Sequence, residues 1–524
     1  MSYLYNKNVN VQNNNVVVST TNPFPVTSSG GTFEVEMKGA TAYSAFGEPL
    51  ATQLTPVIQL DGIYGLPDRD FEIYSSGNGV ANTKKIVFNV ESGTSAGSYG
   101  VLRSRKLIRY RPGQGALCRF TAAFSTPHAN TTHRAGLFAQ EQSLTVGYNG
   151  EQFGIFIQNG GKADIRELNV TTGAGGSETG NVTLNGVSYT VPLTSGTAQQ
   201  TAAAIANRSG GYPGYVVDQV GNSVFFLSAS LGPKNGTFSF SSTGAALASM
   251  NSRQAGIANA GEWIYQNQWN FDRLDGSANT TNPSGVLLEP DKLNIYQINY
   301  RWLGAGEIRF AIEDPNNGDM IFFHHYHYSN RHTVPHLDNP SLKIGYLAAN
   351  LGAGTSNNVS VIGASMMGAI EGIVGTSKYT NSASSGTKAS LSQDQTHHLL
   401  SIRSQLIFNN KINLNGTNAK KMSVAMQGQD PAEIYVFYNP TTFSGIHIWN
   451  NVTQTAVAYS TIDGTYTLSS EAPVATYVLP INGSSIIDLE QLSLNCPPNN
   501  IISIAIKSSA QISRATASLI WLNE

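Results

Sequence analysis

The chain has 524 residues, a length that suits three or four domains, with 40% hydrophobic residues but only 12% charged ones. Its 31 basic and 33 acidic residues leave a net charge of −2, which provides no electrostatic footprint for nucleic acid or an anionic membrane. No secretory signal is expected at the start, and no apolar run approaches the ~18 residues needed to span a bilayer. Polarity comes from Asn, Ser, Thr, Gln and Gly, which compete with the helical backbone and suit strands and tight turns.

Residues 1–31 are rich in Asn and Val and have little to bury by themselves. Val16-Val-Val18 and Asn22-Pro-Phe-Pro-Val26 fit an attachment arm that adds to a neighbouring sheet. From Thr32 the pattern turns to strand, turn, strand. Thr32–Met37 and Lys85–Val90 alternate apolar and polar residues, and Lys106–Tyr110 runs toward a Pro112-Gly113 turn. Cys118–Phe124, Gly154–Gln158 and Ala163–Glu167 follow, with Leu293–Tyr300 and Glu307–Ile312 further on. Many strands separated by Gly and Asn turns predict a β-sandwich, in two parts over 32–171 and 254–375.

Between those parts, 172–253 reads as a small inserted α+β module. Asn185-Gly186 marks a hairpin within Asn181–Val191. Ala198–Asn207 is the best helix in the chain, with Thr197 and Gln200 spaced as a capping box. Tyr215–Asp218 and Ser223–Leu227 complete the unit. A module on one loop is expected to be removable without unfolding the rest. A Ser/Thr-rich linker is expected over 376–395, then a second β-sandwich over 396–524 whose last strand, Ala517–Leu522, pairs inside a sheet. Cys118 and Cys496 are expected as buried, reduced thiols.

The most unusual run is Phe322-Phe-His-His-Tyr-His-Tyr328. In a strand His325 and His327 share one face and His324 takes the other. His325, His327 and the nearby His332 form a candidate set for Zn²⁺ or Ni²⁺. No cysteine or clearly placed carboxylate completes it, so packing or an interface is the reading adopted, with no cofactor. Asp68 with Asp70, and Asp272 with Asp275, are short of a full set of Ca²⁺ ligands and read as turn residues. No nucleophile elbow, zinc-protease helix or P-loop is present, and Glu34 and Glu36 are an ordinary same-face pair, so no catalytic residue is assigned. Trp263, Trp269, Trp302 and Tyr328 are candidates for stacking on sugar rings, against the alternative that they fill the core.

Four stretches are familiar in this order: Asn22–Val26 with Phe46-Gly-Glu-Pro-Leu50; Arg109-Tyr-Arg-Pro-Gly-Gln-Gly115; Trp269-Asn-Phe-Asp-Arg-Leu-Asp-Gly276 with Pro283–Ile298 and Trp302–Phe310; and Ala517–Glu524. Together they resemble structural proteins of tailed phages, especially marine and cyanobacterial ones, with relatives in some large DNA viruses. The third stretch is the most specific. The resemblance implies a non-enzymatic virion component with a lectin-like jelly-roll sandwich: a capsid spike, fibre, neck or tail subunit. Its expected partners are copies of itself, in a trimer, and other virion proteins. A virion protein that grips host surface glycans and a polysaccharide-degrading virion enzyme are the alternatives.

Overall fold

Strand accounts for about 54% of the described residues and helix for about 3%, so the expected mainly-β architecture is the one observed. The computed structural model describes residues 53–523, apart from 259–260, 353–356, 373–379 and 493, and two short paired strands, Gln12–Asn13 and Val16–Val17. The rest of the expected arm, the strand expected at Thr32–Met37, and Glu34 and Glu36 lie outside the described residues.

Among the described residues, the first sandwich is built from a seven-stranded and a nine-stranded antiparallel sheet. In the seven-stranded sheet, Lys343–Asn350 lies between Thr131–Phe138 and Tyr99–Ser104, and Glu262–Tyr265 forms one edge. In the other, Ala116–Phe124 lies between Asn294–Tyr300 and Ser360–Gly363, and Met320–Tyr326 forms an edge beside Ile308–Glu313. Alternating side chains of the two sheets meet in one apolar core. Phe88 meets Tyr346 at 5.7 Å and Phe124 meets Phe153 at 5.4 Å, both across the sandwich. Burying each such ring stabilises the fold by about 1.5–3 kcal/mol. Cys118 lies fully buried in this core as a free thiol, as expected.

Two local expectations need correction here. Lys106–Tyr110 is not a strand; only Ile108 forms a bridge, to Leu342, and its fully buried side chain anchors an otherwise irregular segment. The strand expected from Lys85 begins at Val87, because Lys85 takes φ 59° in the turn before it.

The inserted module holds the capped helix Ala198–Ala206: Thr197 Oγ1 accepts the Gln200 N–H, and Gln200 Oε1 accepts the Thr197 N–H. The hairpin of Glu178–Leu184 and Val187–Leu193 turns on Asn185 and Gly186, whose φ angles of 51° and 86° suit a type I′ turn. Ala163–Glu167, read from sequence as a sandwich strand, is the start of Ala163–Thr172, which pairs with Ser223–Leu231 and with Leu247–Gln254 in the module's four-stranded sheet. Incoming and outgoing chains are thus zipped together, ending at a Lys162–Ile257 bridge.

The C-terminal sandwich packs a six-stranded sheet against a seven-stranded one around fully buried Trp521, Leu519, Ile402 and Ile504. Ile512–Asn523 pairs on both sides, with Thr417–Gly428 and with Thr380–Ser384 and Lys388–Leu391. The region read as a linker therefore contributes strands: its Ser and Thr residues are polar but β-compatible, and they cover one edge of the last strand. The module is also not free of this sandwich. Ala163, Ile165 and Leu227 share an apolar cluster with Ile407, and Asp218 pairs with Arg403.

Candidate functional site

The His-rich strand is placed by a hairpin. Ile308–Glu313 and Met320–Tyr326 pair around a turn in which the Asp314 N–H donates to the Asp319 carbonyl and Gly318 takes φ 77°. Glu313 faces Met320 and Ala311 faces Phe322, but then Phe310 faces His324 and Arg309 faces His325. Phe323 is the extra residue of a β-bulge, with its ring in the core 4.2 Å from Trp269. The bulge shifts the register by one. Ile308 then lies opposite Tyr326, so Glu307 falls beside His327, on the face that also carries Arg309 and His325.

Glu307 is the centre of the resulting cluster. Its Oε1 lies 3.0 Å from His325 Nδ1 and 3.4 Å from His327 Nδ1. Its Oε2 accepts from Arg309 Nε at 2.6 Å and from Arg301 Nη2 at 3.4 Å. Burial acts to raise the Glu307 carboxyl, but Arg309, aided by the two histidines, holds it below its usual value. Burial likewise lowers the His325 imidazole, against the pull of Glu307.

His325 is firmly held. Asn270 Nδ2 donates to its carbonyl and Asn270 Oδ1 accepts its N–H, both at 2.9 Å. Phe271 stacks on its ring with centroids 3.7 Å apart. His327 is nearly half exposed and opens the cluster to solvent. The third histidine expected in a ligand set, His332, is not part of it: its ring stacks on Tyr328 at 4.0 Å. The carboxylate that sequence reasoning missed, Glu307, takes that place. The strand alternation that separates His324 from its neighbours could have revealed the face, but not the bulge.

A cleft of about 330 Å³ lies over this cluster, lined by Glu262, Trp263, Asn270, His325, His327 and Arg331 among others. Of the four aromatic candidates, Trp263 alone lines it; the half-buried indole leans on Phe156 at 5.0 Å. Trp269 is 3% exposed and belongs to the core, donating its Nε1–H to the Ile264 carbonyl. Trp302 packs against the same core and donates to the Leu337 carbonyl at 2.9 Å. Tyr328 is buried beneath His332 and His336. These three are not placed to stack on a sugar, because packing already occupies their faces.

The Asp272 and Asp275 carboxylates are structural. Asp272 accepts the N–H groups of Leu274 and Ser284 at 2.9 and 3.0 Å, and Asp275 accepts the Ser277 N–H at 3.0 Å. The Asp68 and Asp70 carbonyls both accept from Arg105.

No family model and no curated protein matches this sequence. Among solved structures, the chain is similar to the Emp47p carbohydrate recognition domain at 10% identity, over 61% of this chain and 97% of that one, with a TM-score of 0.24. A lectin from Bauhinia forficata in complex with GalNAc overlaps 61% of this chain and 98% of its own, at 8% identity and a TM-score of 0.21. An archaeal virus protein described by a triple jelly roll fold and turret assembly overlaps 90% and 98% at 8% identity, with a TM-score of 0.15. Overlaps this loose carry no argument about what the chain binds or builds. No helix among the described residues is long and apolar enough to cross a membrane.

Proposed function

We propose that this chain is a non-enzymatic structural subunit of a virus particle, assembled with copies of itself and with other virion proteins. One observation carries the reading. The most specific stretch of the resemblance, Trp269–Gly276 with Pro283–Ile298 and Trp302–Phe310, supplies much of the sandwich's architecture. Trp269 fills the core, Asp272 ties two turns together, and fully buried Asn282 bridges Asp275 Oδ1 and the Val286 carbonyl at 3.0 and 3.2 Å. Buried polar residues that hold a loop rigid suit a building block better than a catalyst. The polar, weakly charged composition agrees, since such surfaces pack against copies with a smaller desolvation cost than charged ones. The assembly envisaged is a trimer, with residues 1–31 as the attachment element.

Mass spectrometry of gradient-purified particles tests this. The chain should appear at a fixed, multi-copy ratio to the major capsid protein; its absence from the particles would contradict the proposal. A second reading, a virion protein that grips host surface glycans, is favoured by Trp263 alone, an indole at an open polar cleft. Binding on a glycan array that is lost on Trp263→Ala would support it, and silence on the array would remove it.

A further inference from the structure

We propose that Glu307, His325 and His327 form a binding site for a first-row divalent metal ion, Zn²⁺ foremost, with its remaining coordination position open to the Trp263 cleft. This goes beyond the structural role proposed above and does not depend on it. One ligand atom from each residue lies within 4.8 Å of the other two. The Oε1 to Nδ1 separations are 3.0 and 3.4 Å. A tetrahedral ion with bonds of about 2.0–2.1 Å needs ligand atoms roughly 3.3 Å apart, which the two separations from Glu307 match. Two imidazoles and a carboxylate are a donor set that Zn²⁺ accepts readily, and hard ions such as Ca²⁺ and Mg²⁺ do not favour it.

The surroundings are those of a supported ligand set. The double hydrogen bond from Asn270 fixes the backbone of His325, and Phe271 fixes its ring plane. Arg309 and Arg301 grip the carboxylate oxygen that faces away from the histidines, leaving Oε1 directed at them. The His325 side chain is about nine-tenths buried, and the ring nitrogen it turns to Glu307 is Nδ1. Exposure rises from His325 to His327, which supplies a route for the ion. The two arginines leave the site short of negative charge, so an affinity on the order of micromolar is expected rather than the far tighter binding of closed structural zinc sites.

The test uses the full chain without a polyhistidine tag, freed of metal by chelation. Titration with Zn²⁺ by calorimetry should give one ion per chain, and Co²⁺ should develop the visible absorption bands of a tetrahedral site. Glu307→Gln and His327→Ala should each weaken binding at least tenfold and abolish the Co²⁺ bands. His397→Ala, in the C-terminal sandwich and away from the cleft, should leave both unchanged. His327 is half exposed, so its variant decides the matter even if Glu307→Gln misfolds. Absence of stoichiometric binding to the unaltered chain, or binding undiminished in His327→Ala, would overturn the proposal.

Discussion

Arg403 of the C-terminal sandwich and Asp218 of the inserted module form an ion pair in which neither side chain reaches appreciable solvent, at 9% and 0% exposure. The same guanidinium donates to the Gln219 carbonyl at 2.8 Å and lies 4.4 Å over the Trp449 ring. Asp218 Oδ2 also accepts the Leu406 N–H at 2.7 Å. Module and sandwich are therefore stitched together by a charged pair as well as by the Ile407 cluster.

Asp218→Ala should destabilise the protein by about 3–5 kcal/mol, because it strands a buried cation, whereas Asp218→Leu combined with Arg403→Met should recover most of the loss. Thermal or denaturant unfolding of the single and double variants measures this. A single-variant loss below about 1 kcal/mol would show that the pair is hydrated in solution. For the same reason, replacing 172–253 by a short linker should lower the melting temperature of the remainder, and Arg403→Met in that background should raise it again.

Acid should unfold the protein earlier than its few carboxylate pairs suggest. Burial is the main cause that pushes His133, His336 and His398 to about 4 and His447 to about 3. Unfolded imidazoles take a proton near pH 6.5. Between those values the unfolded chain holds more protons, so the contribution of these histidines to stability falls as pH drops from about 6.5 toward 4 and is constant above about 7. His447 stacks on Phe443 at 4.2 Å and its Nδ1 has no hydrogen-bond partner, so His447→Phe should keep the packing and make the melting temperature less sensitive to acid. A melting temperature independent of pH over that window would contradict this assignment.

Both cysteines should resist thiol reagents in the folded state. Burial raises the Cys118 thiol far above its ordinary range and takes Cys496 to about 12, so neither offers a thiolate near neutral pH. An Ellman titration should count no reactive thiol in native buffer and two in denaturant. A thiol that reacts promptly in native buffer would mean that one of the cores opens.

Thr197→Ala removes the helix cap and should cost about 1 kcal/mol. Since the module buries its own apolar core around Val182, Ile205 and Phe226, the loss should appear in hydrogen exchange of the helix before it appears elsewhere. Equal loss of protection across both sandwiches would mean that the module does not open independently.

Local signals in the sequence located what local forces decide. Asn185-Gly186, the Thr197–Gln200 capping box and the alternation in Asn294–Tyr300 could be read because each is settled within a few residues. Pairing between distant strands could not. Ala163–Thr172 carries a strand pattern that says nothing of whether its partners are sandwich or module strands. The Ser- and Thr-rich Thr380–Ser384 resembles a linker until Ile512–Asn523 is placed beside it. The candidate site failed on one residue: without the bulge at Phe323, Glu307 would face Tyr326 and point away from His325 and His327. A single-residue register shift is invisible in periodicity, yet it decides which side chains meet.

The proposed virion role is decided by electron cryomicroscopy of intact particles. Density at symmetry-related positions should accommodate both sandwiches and the module between Leu54 and Asn523, with neighbouring copies in contact. Reconstructions in which every ordered density is accounted for by other proteins would contradict it.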